Sequence, residues 1–284
     1  RSTLFPYTTL FRSPYRTTHW HHHQSVARRW REGRVFIAGD AAHLFPPTGG
    51  VGMNTGIGDA VDLSWKIDAT LRGWGGQGLL DSYERERKPI AVRNSIVSAN
   101  NSDKIDMVMD ETPRDIELPD ERGGQLRSEL RQKIQWLARQ FSSAGVHLGY
   151  RYADSPVCVP DGTAEPPDDP TQVAPSTWPG SRAPHLWLEP GRSMLDLFGR
   201  SWVLLDLGAG PDACAPLLRC FETAGMPIEV QRPNRDDVRA LYERDLVLVR
   251  PDGHVAWRCD RLPDDPSAIS AIVERVRGAA GVSR

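Results

Sequence analysis

The sequence predicts an α/β protein organised in two units. Three observations carry that prediction. First, Gly33 to Lys66 reads GRVFIAGDAAHLFPPTGGVGMNTGIGDAVDLSWK: a short apolar run, a glycine-aspartate turn, a Pro/Gly loop and a helical pattern. Second, from Trp202 onward apolar runs of strand type alternate with segments of helical periodicity. Third, 284 residues with 39% hydrophobic and 25% charged content suit a globular chain of one large domain or two ordinary ones.

Val35, Phe36, Ile37 and Ala38 are expected to form a buried strand, too short for an independent helix and bounded by glycine at both ends. Gly39-Asp40 ends it and places a carboxylate at its carboxyl end, where ligands of open α/β folds sit. In Pro46-Pro47-Thr48-Gly49-Gly50-Val51-Gly52-Met53-Asn54, three glycines fall in four positions, which lets a backbone approach a flat ligand. A helix is expected from Asn54 to about Leu71, its positive end aimed at that ligand. Gly73–Gly78 reads as a turn, and a second helix runs from Leu79 to about Ala99 with Pro89 tolerated or kinking it. Glu84, Arg85, Glu86, Arg87 and Lys88 alternate in charge, the pattern of a solvated helix face. Asn100 to Gly124 reads as a loop, Gln125 to Phe141 as a helix and Gly145 to Tyr152 as a strand.

Residues 156–179 have the composition of a linker between residues 14–155 and residues 180–284. The second unit should hold strands at Trp202–Leu207, Ile228–Gln231, Leu246–Arg250 and His254–Arg258, the last two joined by the turn Pro251-Asp252-Gly253. Helices are expected over Ala213–Ala224 and Asp264–Arg277. Strand, helix, strand, hairpin, helix is the order of a thioredoxin-like domain, here without a Cys-x-x-Cys pair.

A net charge of −2 gives no electrostatic case for nucleic acid or a membrane surface, and no apolar run approaches the roughly 20 residues that span a bilayer. Cys158, Cys214, Cys220 and Cys259 are scattered, as expected of reduced thiols in a cytoplasmic protein, and no zinc spacing is present. Arg1–Ser13 has no helical or strand periodicity and reads as translated sequencing-adapter sequence, to be set aside from the fold. His19 and His21–His23 read as solvated residues rather than metal ligands.

Gly39-Asp40-Ala41-Ala42-His43, Pro46-Pro47, Gly49-Gly50-Val51-Gly52-Met53-Asn54-Thr55-Gly56, Asp59-Ala60, Leu63 and Trp65-Lys66 together resemble the second flavin-binding motif of class A flavoprotein monooxygenases, the aromatic-ring hydroxylases. Many fixed residue types at fixed spacing make this specific. The resemblance implies the carboxyl-terminal part of a glutathione-reductase-like FAD-binding domain. It implies that Asp40 hydrogen-bonds the ribityl chain of FAD, and that Pro46, Gly49, Gly50 and Val51 belong to a loop against the isoalloxazine. Backbone N–H groups near Gly52, Met53 and Asn54 would face the pyrimidine edge, where reduced flavin carries negative charge. Asn54 could also cap the helix, Asp59 supports the loop or caps it, and His43 reads as a structural residue behind it rather than a general base. Trp65 and Lys66 read as packing and surface residues, and Arg182 and His185 as structural ones.

Pro179-Gly180-Ser181-Arg182-Ala183-Pro184-His185 and Leu248-Val249-Arg250-Pro251-Asp252-Gly253-His254-Val255-Ala256-Trp257-Arg258 resemble the carboxyl-terminal domain of phenol and polyketide hydroxylases. The resemblance thus covers about Val26 to the end. It implies an FAD-dependent, NAD(P)H-consuming hydroxylation of a phenolic or polyketide aromatic through a flavin C4a-hydroperoxide. The Gly-x-Gly-x-x-Gly turn of the family's first flavin motif is not found, so the chain is expected to be a carboxyl-terminal fragment, inactive alone. No catalytic or substrate residue is named by the sequence. Alternatives are a flavoprotein of this fold with other redox chemistry, and a non-catalytic remnant that binds or forms a homodimer through residues 180–284.

Overall fold

The computed structural model describes residue 21 and residues 23–279; the readings of Arg1–Ser13, His19 and His22 lie outside them. The first unit opens with short strands. β1 (Ser25–Val26) pairs antiparallel with β4 (His43–Leu44), and β2 (Arg31–Glu32) pairs with β3 (Val35–Phe36) across Gly33 and Arg34. Gly33 has φ +59°, the conformation a two-residue hairpin demands. The expected strand Val35–Ala38 is therefore only two residues long and not buried: Val35 is 67% exposed. Its one ladder partner, β2, supplies no second layer to cover it.

Two long helices follow: α1 (Val51–Leu71) and α2 (Gln77–Asp110). α1 starts three residues earlier than expected, because Gly50 takes a left-handed φ of +64° and ends the loop there. Its buried stripe is largely polar: Thr55, Asp59, Asp62 and Lys66 lie between Val51 and Ala69. The apolar Met53, Ile57 and Val61 lie outward, 76%, 55% and 47% exposed. α2 contains Pro89 and runs on through residues 100–110, which the sequence read as loop. The polar run Asn100–Ser102 hides contacts from far away that keep this end helical. Lys104 Nζ lies over the Trp136 ring, 4.9 Å from its centroid, and Lys133 pairs with Glu111 at 2.6 Å. Both partners stand on α3 (Glu121–Leu137), capped by Asp120 through the Gly123 N–H.

The expected strand over Gly145–Tyr152 is instead the one-turn helix α4 (Ala144–Leu148), followed by a bridge from Arg151 to Ser181. Gly145 is there for close approach: a Cβ would fall 1.7 Å from the Asp169 carbonyl. Residues 156–179 form no helix or strand but are fastened to both units. Arg258 Nε donates to Asp161 at 2.7 Å, Arg93 pairs with Asp168 at 2.8 Å, and Thr177 Oγ1 donates to the Tyr242 carbonyl at 2.8 Å.

The second unit begins with the hairpin β5 (Trp187–Glu189) and β6 (Arg192–Ser193). A four-stranded sheet follows, from β7 (Trp202–Asp206), β8 (Ile228–Gln231), β9 (Leu246–Val249) and β10 (Val255–Cys259) in the order β10-β9-β7-β8. β7 and β8 are parallel and joined by α5 (Pro211–Thr223); the other pairs are antiparallel. α6 (Asp236–Tyr242) links β8 to β9, and α7 (Pro266–Val276) closes the unit. The period of two sorts the strands onto two faces. Trp202, Leu204, Leu246, Leu248 and Ala256 meet Leu217 and Phe221 of α5 and Ile272 and Val273 of α7. Val203, Leu205, Val247 and Val249 meet Val238 and Tyr242 of α6. The first of these cores also takes in Trp65, Ala69, Trp74 and Leu79, so one apolar cluster joins the two units. The seven-residue α6 was not anticipated; it is too short to leave a periodic signal.

Candidate functional site

The site is built on the turn after β3. Gly39 adopts φ +56° and starts a single 3-10 turn, Gly39–Ala41, in which Asp40 is exposed. A buried carboxylate fixes the turn from behind: Asp59 Oδ2 accepts from the Gly39 N–H at 3.1 Å and from His43 Nε2 at 2.7 Å. Its Oδ1 accepts from Arg87 Nε at 2.9 Å, and Arg87 Nη2 donates to the Thr55 carbonyl at 3.0 Å. Gly39 and Gly56 approach so closely that a Cβ on Gly56 would lie 3.2 Å from the Gly39 Cα.

The Pro/Gly loop is held by α2. Ser98 Oγ donates to the Pro46 carbonyl at 2.6 Å, Thr48 Oγ1 donates to the Ser98 carbonyl at 2.6 Å, and Asn94 Nδ2 donates to Thr55 Oγ1 at 2.9 Å. Gly49 and Gly50 have φ +83° and +64°, so each is glycine for its backbone. Gly52 differs. It lies in the first turn of α1, and an added Cβ would meet only Phe45 Cδ2, at 3.8 Å. Nothing in the chain demands glycine there, whereas a flat ligand lying on the turn would. The N-cap Gly50 has no side-chain cap and no acidic residue follows in the first turn. The leading N–H groups of α1 are thus left without intrahelical partners at the positive end of the helix.

Behind the loop, between the units, lies a buried ion cluster. Glu86 accepts from Lys66 Nζ at 2.5 Å, from Arg250 Nη1 at 2.6 Å and Nη2 at 2.9 Å, and from Ser155 Oγ. Asp62 accepts from Lys66 at 2.7 Å and Arg250 at 2.9 Å, and Asp252 accepts from Arg250 at 2.6 Å. All five charged side chains are buried. Three carboxyl groups thus face two cations. Burial, with Glu86 and Asp252 alongside, pushes the Asp62 carboxyl up to about 8 against the pull of Lys66 and Arg250. Such an acid keeps its proton in the folded chain after the unfolded chain has released it. Its contribution to stability is complete below about 4 and is lost as pH rises to about 8. The neighbouring His254 is held below its ordinary value by burial and acts at lower pH. Between pH 7 and 8 the melting temperature is therefore expected to fall, and Asp62→Asn should flatten that slope. An unchanged slope in the variant would assign it to another group.

Of the residues that the sequence singled out, Asp40, Gly50, Met53 and Asn54 are exposed, and Gly49 and Gly52 are half-buried. Pro46 and Val51 are buried. Asn54 is not the helix cap: its Nδ2 donates back to the Gly50 carbonyl at 2.8 Å, inside the first turn. His43 is buried and stacks on Phe45 with ring centroids 4.7 Å apart, a structural placement. Asp59 supports the loop, as read. Glu86 and Arg87 are buried rather than solvated, and Lys66 is buried rather than on the surface. The sequence did not single out Arg250, whose partners stand 164 and 188 residues away. Two concavities of about 760 Å³ lie elsewhere, one between α5 and α7 and one beside Pro89. Among the described residues no group of three or more His, Cys, Asp or Glu side chains is arranged to hold a metal ion, and no helix is long and apolar enough to cross a membrane.

A glycine-aspartate turn and an uncapped, glycine-lined helix start form an arrangement that can accept a flat group carrying negative charge. Residues 5–96 match the FAD binding domain family, and residues 176–280 match the family described as aromatic-ring hydroxylase, C-terminal. The chain belongs to the FAD-dependent aromatic-ring hydroxylases. It is 38% identical over 252 residues to the FAD-dependent monooxygenase apdD of Emericella nidulans, covering 85% of this chain and 40% of that protein. The structure of the rebeccamycin biosynthetic enzyme RebC with reduced flavin superposes with a TM-score of 0.84 at 40% identity, over 98% of this chain and 53% of that one. That of the flavin-dependent monooxygenase PieE in complex with FAD and substrate gives 0.78 at 32% identity, over 92% and 50%. The chain thus spans about half the length of the relatives it matches.

Proposed function

We propose that this chain supplies the flavin loop and the carboxyl-terminal unit of an FAD-dependent, NAD(P)H-using monooxygenase that hydroxylates a phenolic or polyketide aromatic. The observation that carries the reading is Gly52, a helical glycine that no neighbour in the chain requires, set in the uncapped start of the helix whose Asp59 holds the turn that exposes Asp40. Asp40 would accept hydrogen bonds from the ribityl hydroxyls. Backbone N–H groups near Gly52, Met53 and Asn54 would donate to the pyrimidine edge and stabilise negative charge there. Asp59, through Gly39 and His43, holds the turn so that these donors keep their aim. Bound FAD would supply the redox and oxygen chemistry; the chain supplies position and field. The outward stripe Met53, Ile57 and Val61 supports a reading in which this loop is one wall of a larger site.

The second unit we assign to a thioredoxin-like fold without redox cysteines. Support comes from the parallel β7-α5-β8 unit beside the β9-β10 hairpin, with α7 packed on the same face as α5. The test of function is twofold. The isolated chain is expected to show no NAD(P)H oxidation, and turnover by it would overturn the fragment reading. In the full-length enzyme recovered by sequencing across Ser13 in source DNA, Asp40→Ala is expected to weaken FAD binding about tenfold or more, since a hydrogen bond to a charged group is worth about 1.5–3 kcal/mol. Unchanged FAD affinity in that variant would remove Asp40 from the site.

A further inference from the structure

We propose that Arg250, on the hairpin of the carboxyl-terminal unit, is a positioning residue for the flavin loop, acting through Glu86 and the adjacent Arg87 of α2. The guanidinium is fully buried and every face of it is engaged. It grips Glu86 bidentately, Nη1 to Oε1 at 2.6 Å and Nη2 to Oε2 at 2.9 Å, and reaches Asp62 on α1 at 2.9 Å. Asp252 anchors it to its own hairpin at 3.1 Å and 2.6 Å. The rings of Trp65 and Tyr152 lie over it, with centroids 5.1 and 5.0 Å from its central carbon. A planar fork held in this way fixes direction as well as charge, which a lysine at the same place would not do.

The next residue of α2 carries the constraint to the loop. Glu86 faces Arg250 while Arg87 faces Asp59, whose other oxygen holds the Gly39 N–H and His43. Tyr152 touches both cations: its ring lies against Arg250, and its hydroxyl accepts from Arg87 Nη1 at 3.3 Å. Further along α2, Asn94 and Ser98 hold Thr55, Pro46 and Thr48. The side-chain ties from α2 to the loop and to α1 therefore depend on how α2 is set, and Arg250 is the group from the second unit that enters its buried polar seam. Without Arg250, the buried carboxyl groups of Glu86, Asp62 and Asp252 would be left with Lys66 alone, and α2 would have to shift or admit water. The flavin reading gives this relay its purpose, but the relay itself is geometric and can be tested without flavin.

The experiment is amide hydrogen exchange, followed by mass spectrometry, on the purified 284-residue chain and two variants. In Arg250→Gln, peptides covering residues 37–56 are expected to exchange at least tenfold faster, while those covering β7 and β9 keep wild-type protection. In Arg250→Lys, which keeps the cation and loses the fork, the loop should exchange about two- to threefold faster. If Arg250→Gln does not fold, Arg250→Lys decides. A loop that keeps wild-type protection in the folded variants overturns the proposal. So does a rise shared equally by loop and sheet, which would make Arg250 a general stabiliser.

Discussion

Replacing Asp59 by alanine is expected to destabilise the chain by about 3–5 kcal/mol, the range for removing one partner of a buried ion pair. The carboxylate is fully buried and serves three donors at once: Arg87 at 2.9 Å, His43 at 2.7 Å and the Gly39 N–H at 3.1 Å. Its loss would leave a guanidinium without a counter-charge between two helices, and a left-handed turn without its anchor. Asp59→Asn should lose less, because an amide oxygen still accepts from one of these donors. Urea unfolding followed by tryptophan fluorescence measures both variants. A loss below about 1 kcal/mol in the alanine variant would mean that water satisfies Arg87 as well as the carboxylate does.

The second large effect is expected at Gly180, in the Pro-Gly-Ser-Arg-Ala-Pro-His run that opens the second unit. Its φ is +99°, and a Cβ would sit 2.4 Å from the Tyr152 carbonyl oxygen. The approach is this close because Gly180 is sewn between two segments: its N–H donates to Val255 at 2.7 Å and its carbonyl accepts from the Tyr152 N–H at 2.9 Å. Gly180→Ala combines backbone strain of about 1–3 kcal/mol with overpacking of about the same size. Gly33→Ala is the control: Gly33 has φ +59°, and a Cβ there would meet no atom within 4 Å, so only the strain applies. The denaturation midpoint should drop much further for Gly180→Ala than for Gly33→Ala. Equal drops would mean that the approach to Tyr152 relaxes without cost.

These two positions show what could be read in the chain and what could not. The loop Gly39–Asn54 was legible because Gly39, Gly49 and Gly50 stand at fixed spacing and each answers a local backbone need with its positive φ. The second unit was legible because its strands and its two longer helices carry their own period. Beyond that, local pattern misled wherever the deciding partner lay far along the chain. Glu84 to Lys88 alternate in charge like a solvated face, yet Glu86 and Arg87 are buried because Lys66, Asp59 and Arg250 receive them. Gly145 to Tyr152 alternates like a strand, yet Gly145 is needed for the passage of Asp169. One signal was present and unused: Thr55, Asp59, Asp62 and Lys66 recur at helical spacing, which marks a polar stripe opposite Met53, Ile57 and Val61. A helix with apolar residues on one stripe and paired charges on another has two partners, not one.

The cysteines have a practical corollary. Cys158 and Cys214 are buried, and burial raises the thiols of Cys158, Cys214 and Cys259, to about 11 for Cys214 and about 12 for Cys259. At neutral pH these three hold almost no thiolate in the folded chain, while the same groups in an open chain would react at ordinary rates. They lie in two places: Cys158 beside the ion cluster, and Cys214 on α5 with Cys259 at the end of β10 in one apolar cluster. The protein therefore carries its own clock for opening, in which the order of thiol labelling reports which part of the molecule breathes first.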